Sequence, residues 1–187
     1  MTGQMELNQE RKIIVRILEG ERNAYALLVD EYKKAIFNLA YRMTGSYEDA
    51  RDLAQETFIR AYVNLNKFNR EQRFFTWIYT VGLNLIRNHL KKKRQDRSRG
   101  TVERTFPKPG IGDSDRIEQE TIRLQENDRL NIAMQKLPSD LREAIVLRFY
   151  QDLSFEEIAA ISDASVSAVK MRVYRAQERL RALMEKE

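Results

Sequence analysis

Five residues near the C-terminus, Ser167, Lys170, Met171, Tyr174 and Arg175, recur at the three- and four-residue spacing that puts them on one face of a helix. Lys and Arg donate to guanine edges, Ser donates or accepts, and Met or Tyr packs on a thymine methyl, so the chemistry this face offers is base-edge recognition. Along the opposite side run Val166, Val169, Val173, Ala176, Leu180 and Leu183, an apolar stripe that continues to about Met184. One side packs inward and the other is left for a ligand.

The elements that must position this face are written in the residues before it. Ser154 and Glu157 form a capping box that opens a first helix, which carries Phe155, Ile158, Ala159 and Ile161 toward a core. The pattern breaks at Ser162-Asp163-Ala164, where Asp163 adopts a left-handed backbone at lower cost than most side chains. Ser165 then caps the second helix. The result is a helix-turn-helix, whose second helix enters a major groove by its N-terminal half.

Composition narrows the class. With 33 basic and 28 acidic residues in 187, the net charge is +5, which suits a polyanionic partner through local basic segments rather than a general coat. There is no cysteine, so disulfides and thiolate metal sites are excluded, and the single histidine, His89, cannot build a metal centre. No glycine-rich phosphate loop, histidine-based general base or metal-ligand cluster is written, and Glu156-Glu157 reads as cap and surface charge. The expectation is a binding protein with no catalytic residues, no cofactor and no small-molecule substrate. No apolar run reaches membrane-spanning length, and Glu10, Arg11 and Lys12 interrupt the N-terminal segment, so a cytosolic, cytoplasmic location is expected.

Upstream, the periodicity predicts a helix over about 9–19, with Ile13, Ile14, Ile17 and Leu18 on one side, ended by Gly20. A longer one over 23–43 carries Ala24, Leu27, Leu28, Tyr32, Ala35, Ile36, Leu39 and Ala40, with Glu31 the exception, and Gly45 marks its end. Ser46 caps a third, whose inward set is Ala50, Leu53, Ala54, Phe58, Ala61, Tyr62 and Leu65. Its outward face, Arg51, Asp52, Gln55, Glu56 and Arg60, is polar but not basic, a poor surface for DNA. A loop over 67–73 leads to a fourth helix over 74–94, with Phe74, Trp77, Ile78, Val81 and Leu85 inward. A second stripe, Thr76, Thr80, Leu83, Asn84, Arg87 and Lys91, ends in Lys91-Lys92-Lys93-Arg94. Trp77 reads as core. For Phe68, Asn84, Arg87 and the lysine run two readings stand: ordinary packing with solvated charge, or a groove that stacks single-stranded bases and holds phosphates.

From 95 to 119 the pattern dissolves, with two of the three prolines and three glycines. Helices follow over 120–136 and 139–150, with Leu130, Ile132, Ala133, Leu137, Leu141, Ile145, Val146 and Phe149 as core. The predicted fold is therefore all-α: two small helical domains, 1–95 and 120–187, joined by a flexible linker over 96–119.

The stretch SYEDARDLAQETFIRAYVNLNKFNREQRFFTWIYTVGLNLIRNHLKKKRQ resembles the polymerase-binding and promoter-melting region of bacterial sigma factors of the extracytoplasmic-function group. LPSDLREAIVLRFYQDLSFEEIAAISDASVSAVKMRVYRAQERL resembles that group's promoter-reading C-terminal domain. The resemblance implies an initiation factor, serving a stress or envelope response, that binds core RNA polymerase, directs it to promoter DNA and helps open the duplex. By resemblance, Asp52, Gln55, Glu56 and Arg60 lie where the third helix engages polymerase. Phe68 and Asn84 match a pocket for a base flipped from the single-stranded nontemplate minus-ten element, with Arg87 and Lys91 beside it. Lys170, Met171, Arg172, Tyr174 and Arg175 match the helix that reads the double-stranded minus-thirty-five element, with Ser167 at its start and Arg148 one helix earlier, on phosphate. The linker resembles the segment that threads toward the polymerase active-site cleft, and an anti-sigma factor, often membrane-anchored, is implied as a further partner. Two departures stand out: Ser167-Ala168-Val169-Lys170-Met171-Arg172 replaces the common Gly-Thr-Val-Lys/Arg-Ser-Arg, and Asp163 replaces the turn glycine. The rival function is a two-domain helix-turn-helix repressor or activator, which predicts tight DNA binding by the isolated chain.

Overall fold

The computed structural model describes residues 7–99 and 128–185. All regular structure among them is helical: α1 Leu7–Leu18, α2 Tyr25–Thr44, α3 Tyr47–Val63, α4 Phe74–Ser98, α5 Asp128–Lys136, α6 Ser139–Ile145, α7 Phe155–Ser162 and α8 Val166–Glu185. Short 3-10 turns lie at Arg22–Ala24 and Leu65–Lys67, and a π-type turn at Val146–Tyr150.

Local signals set the first block. α2 stops where Gly45 turns left-handed at φ 69° and donates its N–H to the Tyr41 carbonyl at 2.7 Å. Ser46 is extended and its hydroxyl accepts from the Asp49 N–H at 3.3 Å, so α3 begins at once, with Glu48 and Asp49 in its positive first turn. The two helices form a tight hairpin. Leu28, Tyr32, Ile36, Leu39 and Met43 of α2, Ala50, Leu53 and Phe58 of α3, and Phe74, Ile78, Leu83 and Ile86 of α4 close the core. Gly82 of α4 faces the Thr57 side chain of α3, itself buried and bonded to the Leu53 carbonyl at 2.7 Å. α1 lays Ile13, Ile14 and Ile17 over one end of this bundle.

In the second block α6, α7 and α8 make the helix-turn-helix and its support, with Leu141, Ile145, Leu147, Leu153, Ile158, Ile161, Val169 and Val173 inward. The two blocks pack together, and a single hydrophobic cluster runs through both. Polar contacts cross the seam. Arg87 of α4 clasps Glu143 of α6 at 2.6 and 2.9 Å, Tyr79 donates to Gln151 at 2.7 Å, and the Arg42 guanidinium lies 3.5 Å over the Tyr150 ring. Gln135 donates to the Arg42 carbonyl at 2.9 Å, while Arg142, 7% exposed, reaches the Met43 carbonyl. All four oxygens that Arg142 bonds are amide carbonyls, on Met43, Gln135 and Leu137, so burial of an uncompensated charge pushes its pKa down to about 10.

The structure corrects the sequence reading in places. α4 runs on to Ser98, into the stretch read as linker, while the remainder of that linker and the expected helix over 120–127 lie outside the described residues. Leu27 and Tyr62, read as inward, are exposed, Tyr62 with one side against the Tyr25 ring at 4.9 Å. Ile132 and Phe149 are exposed as well: α6 ends at Ile145 and gives way to the π-type turn, closed by Gln151 N–H donating to the Val146 carbonyl at 3.1 Å, whose wider pitch rotates Phe149 outward. Among the described residues, no helix is long and apolar enough to cross a membrane.

Candidate nucleic-acid and protein interfaces

The turn before α8 forms as its residues dictate. Ser154 accepts from the Glu157 N–H at 3.1 Å and Glu157 accepts from the Ser154 N–H at 2.9 Å, the reciprocal box that starts α7. Asp163 closes that helix at φ 51°, ψ 54°, and the Ser165 hydroxyl accepts from the Ala168 N–H at 3.2 Å. Buried Val169, Val173 and Ala176 then fix the roll of α8. Ser167, Lys170, Met171, Tyr174 and Arg175 consequently stand on its open side, with Met171 50% and Tyr174 58% exposed. Apolar side chains left this open on a basic helix mark a contact surface. Lys170 Nζ sits 5.5 Å over the Phe155 ring, and a hydrogen bond to Glu178 holds the Tyr174 phenol above its ordinary pKa, protonated and able to donate. Arg172 is set apart from this face and half-buried.

Arg148 has structural work of its own. Its Nη1 donates to the Leu153 carbonyl at 2.9 Å, and its guanidinium lies 5.2 Å over Phe155. It holds the loop that leads into α7, so a phosphate contact is available only to its remaining N–H groups.

On α4 the expected residues separate. Phe68 is 6% exposed, its ring edge-on to Phe74 at 5.7 Å and 5.2 Å from Trp77, so it supports the loop from beneath and offers no open face for stacking. Of the two readings of this aromatic, packing is what the structure forms. Asn84 is exposed, and its amide oxygen accepts from Arg87 at a long 3.4 Å. Arg87 spends its fork on Glu143, a bond that raises its pKa, and Glu143 also accepts from the Ser162 hydroxyl at 2.8 Å. Lys91, Lys92 and Arg94 are exposed, whereas Lys93 donates to Asp49 at 2.7 Å. Burial works to raise the Asp49 carboxyl, but the Lys93 bond and the charges of Lys93 and His89 outweigh it and hold the group below the ordinary range.

The outward face of α3 carries Asp52, Gln55, Glu56 and Arg60 as read from sequence. Its charges largely cancel: Arg60 bonds Glu56 at 2.6 Å and Arg51 lies 3.6 Å from Asp52. Beside them stands a feature the sequence reading missed. Ile59 and Val63, 50% and 69% exposed, continue with Tyr62 into a shallow groove of about 340 Å³ lined by Tyr25, Val29, Gln55 and Phe58. The available signal was width, since Phe58, Ile59, Ala61, Tyr62, Val63 and Leu65 are too many apolar residues for one inward stripe. Neutral, apolar and rimmed by polar groups, this face suits a protein rather than a nucleic acid. Among the described residues, no group of three metal-ligating side chains gathers.

Residues 28–96 match the family model of sigma-70 region 2, and residues 128–180 match that of sigma-70, region 4. The chain is 36% identical over 176 residues to the ECF RNA polymerase sigma factor SigW of Bacillus subtilis, covering 91% of this chain and 94% of that one. It is 33% identical over 175 residues to the RNA polymerase sigma-H factor of Pseudomonas aeruginosa, covering 91% of each. Among solved structures, CnrH in complex with the cytosolic domain of CnrY superposes at a TM-score of 0.70 with 26% identity, over 95% of this chain and 98% of that one. The sigma factor RpoE of Bartonella quintana, at 23% identity and a TM-score of 0.68 over 86% of this chain and 96% of that one, shares the fold.

Proposed function

The chain belongs to the extracytoplasmic-function group of sigma-70 transcription initiation factors, and from that premise we propose a division of labour among its helices. It binds core RNA polymerase, directs it to promoters and promotes DNA opening, and it is not itself an enzyme. The first domain, ending with α4, docks on polymerase through Asp52, Gln55, Glu56 and Arg60 of α3, extended by Ile59, Tyr62 and Val63. The loop after α3 and the Asn84, Arg87 and Lys91 side of α4 take the nontemplate minus-ten strand, with Phe68 supporting the loop. The second domain, from residue 120 on, reads the minus-thirty-five element with Ser167, Lys170, Met171, Tyr174 and Arg175, while Arg172 and Arg148 serve phosphate. The segment between the domains links them.

The observation that carries this reading is the contrast between α3 and α8. One exposes neutral apolar surface among paired charges, and the other exposes basic and hydroxyl side chains on the side opposite an apolar stripe. A protein partner and a polyanionic duplex demand these two chemistries respectively. The α3 face is also the surface an anti-sigma factor would cover to silence the chain, and the solved complex of CnrH with the cytosolic domain of CnrY supports a regulatory protein partner. Action in the cytoplasm, beside polymerase and the chromosome, follows from the same reading. The test is run-off transcription by core polymerase plus the full chain on promoters selected from a random duplex library. Sequence-specific initiation that depends on the chain is expected. Transcription no different from core alone overturns the assignment.

A further inference from the structure

Two neighbouring residues of α1, Glu10 and Arg11, have no part in the surfaces above, yet both reach the segment between α3 and α4. Glu10 is 1% exposed, and its carboxyl oxygens are satisfied there: one accepts the Tyr32 hydroxyl and the other, at 3.2 Å, the backbone N–H of Phe74. Phe74 is the first residue of α4, so α1 supplies a side-chain cap for that helix's N-terminus. Arg11 grips the other part of the connection: its Nε donates to the Arg70 carbonyl at 2.8 Å, and its Nη2 stands 3.5 Å from the Glu71 carbonyl. Within the loop, Asn69 accepts the Glu71 N–H at 3.0 Å, and the Gln72 N–H donates to the Asn69 carbonyl at 3.0 Å. Phe68 pins its start beneath Trp77.

We propose that Glu10 and Arg11 are positioning residues for promoter opening, in that α1 clamps segment 68–74 at both ends and so sets where the loop and the first turns of α4 meet the melted strand. The claim rests on the assignment of this segment and α4 to the minus-ten strand. Glu10 is too buried to change without risk to folding. Arg11 is half-exposed, its bonds among the described residues go to loop carbonyls, and a long side chain held at the surface adds little to global stability. Its removal therefore acts on the loop and leaves the bundle intact.

Trp77 is the only tryptophan and lies against Phe68, which makes it a reporter of the clamp that needs no promoter. In Arg11→Ala, acrylamide quenching of Trp77 is expected to rise about twofold with the thermal midpoint unchanged. In holoenzyme on a selected promoter, open-complex formation, followed by permanganate reactivity of minus-ten thymines, is expected to slow about fivefold or more while closed-complex affinity stays within twofold. Arg11→Lys, which keeps one donor, recovers part of both. Asn84→Ala is the companion variant. Slow opening in Asn84→Ala with normal opening in Arg11→Ala overturns the positioning claim alone. Normal opening in both brings down the minus-ten assignment, and the positioning claim with it.

Discussion

The clasp between Arg87 and Glu143 permits the sharpest test of the described arrangement, because its two members are buried unequally. Two opposite charges about 4 Å apart at an effective dielectric near 20 attract by about 4 kcal/mol before desolvation is counted. Glu143 is only 6% exposed, but the Arg87 side chain is 36% exposed, so solvent screens much of that attraction. Fully buried pairs lose about 3–5 kcal/mol when one partner is removed, and exposed pairs about 1 or less. A coupling energy near 2 kcal/mol is therefore expected from a double-mutant cycle by urea unfolding.

The single variants should not be equal. Arg87→Ala strands a buried carboxylate with one remaining donor, Ser162 at 2.8 Å, and is expected to cost about 3 kcal/mol. Glu143→Ala frees an arginine that can turn into water, at about 1–2 kcal/mol. The cycle has a functional arm too. Arg87 cannot hold a phosphate while its fork is on Glu143, so Glu143→Gln, which keeps the shape and removes the charge, is expected to tighten binding of the free chain to a nontemplate minus-ten oligonucleotide by up to about tenfold, worth about 1.4 kcal/mol. Equal costs for the two single variants, or coupling below about 0.5 kcal/mol, would refute the reasoning.

Four further outcomes follow from burial and geometry. Replacing Ile59 and Val63 together by serine is expected to weaken holoenzyme assembly at least about tenfold, read by fluorescence titration against core polymerase, with no loss of thermal midpoint because both are exposed. Phe68→Ala removes a buried ring from the aromatic cluster and is expected to cost about 3–5 kcal/mol in chemical denaturation; a loss under about 1 kcal/mol would contradict its place in the core. Asp163→Gly relieves a left-handed aspartate and is expected to stabilise by up to about 1 kcal/mol, less whatever attraction between Asp163 and Arg87 is lost, as a small rise in thermal midpoint. Arg175→Ala is expected to cost about 1–3 kcal/mol of upstream-element affinity and relax one base position, whereas Arg148→Ala weakens every sequence alike and lowers the midpoint as well, since it also releases the Leu153 carbonyl.

Signals that act within a turn or two were legible in the sequence. The Ser154–Glu157 box, the left-handed Asp163, the Ser46 cap and the valine side of α8 all formed as read, because each depends on partners no more than a few residues away. What depended on a second element was not. Arg142 and Glu143 look like ordinary helix charges between Leu141 and Ala144, and only the seating of α6 against α2 and α4 makes them buried. Nothing within α3 alone says how far a neighbour will cover Tyr62, and in the described residues the Tyr25 ring covers only one side of it. Phe68 illustrates the converse. Its place beside Trp77 is ambiguous in the sequence between stacking platform and core, and is settled by the loop folded over it, whose Arg70 carbonyl is held by Arg11, 59 positions earlier.

The seam between the blocks has to be separable for the function to work. Elements centred about 25 base pairs apart lie about 85 Å apart along B-DNA at 3.4 Å per pair. With Arg87 and Glu143 in contact, α4 and α8 cannot span that distance, so on the proposed assignment of the minus-ten strand to α4 and the minus-thirty-five duplex to α8 the blocks must part. The residues at the seam are built for it. Three of the four bonds of Arg142 are to Gln135 and Leu137 in its own block, and only the one to Met43 crosses. Glu143 keeps the Ser162 hydroxyl, and Arg87 has Asn84 within reach on its own helix. These three charged groups each retain a partner at home on opening, which avoids the full penalty of a stranded buried charge, while the neutral Tyr79 hydroxyl gives up its bond to Gln151. The apolar cluster that runs through both blocks supplies the attraction that closes them. On the proposed assignment, polymerase on the α3 face and duplex on α8 therefore need only outweigh that burial, not the destruction of a buried ionic network.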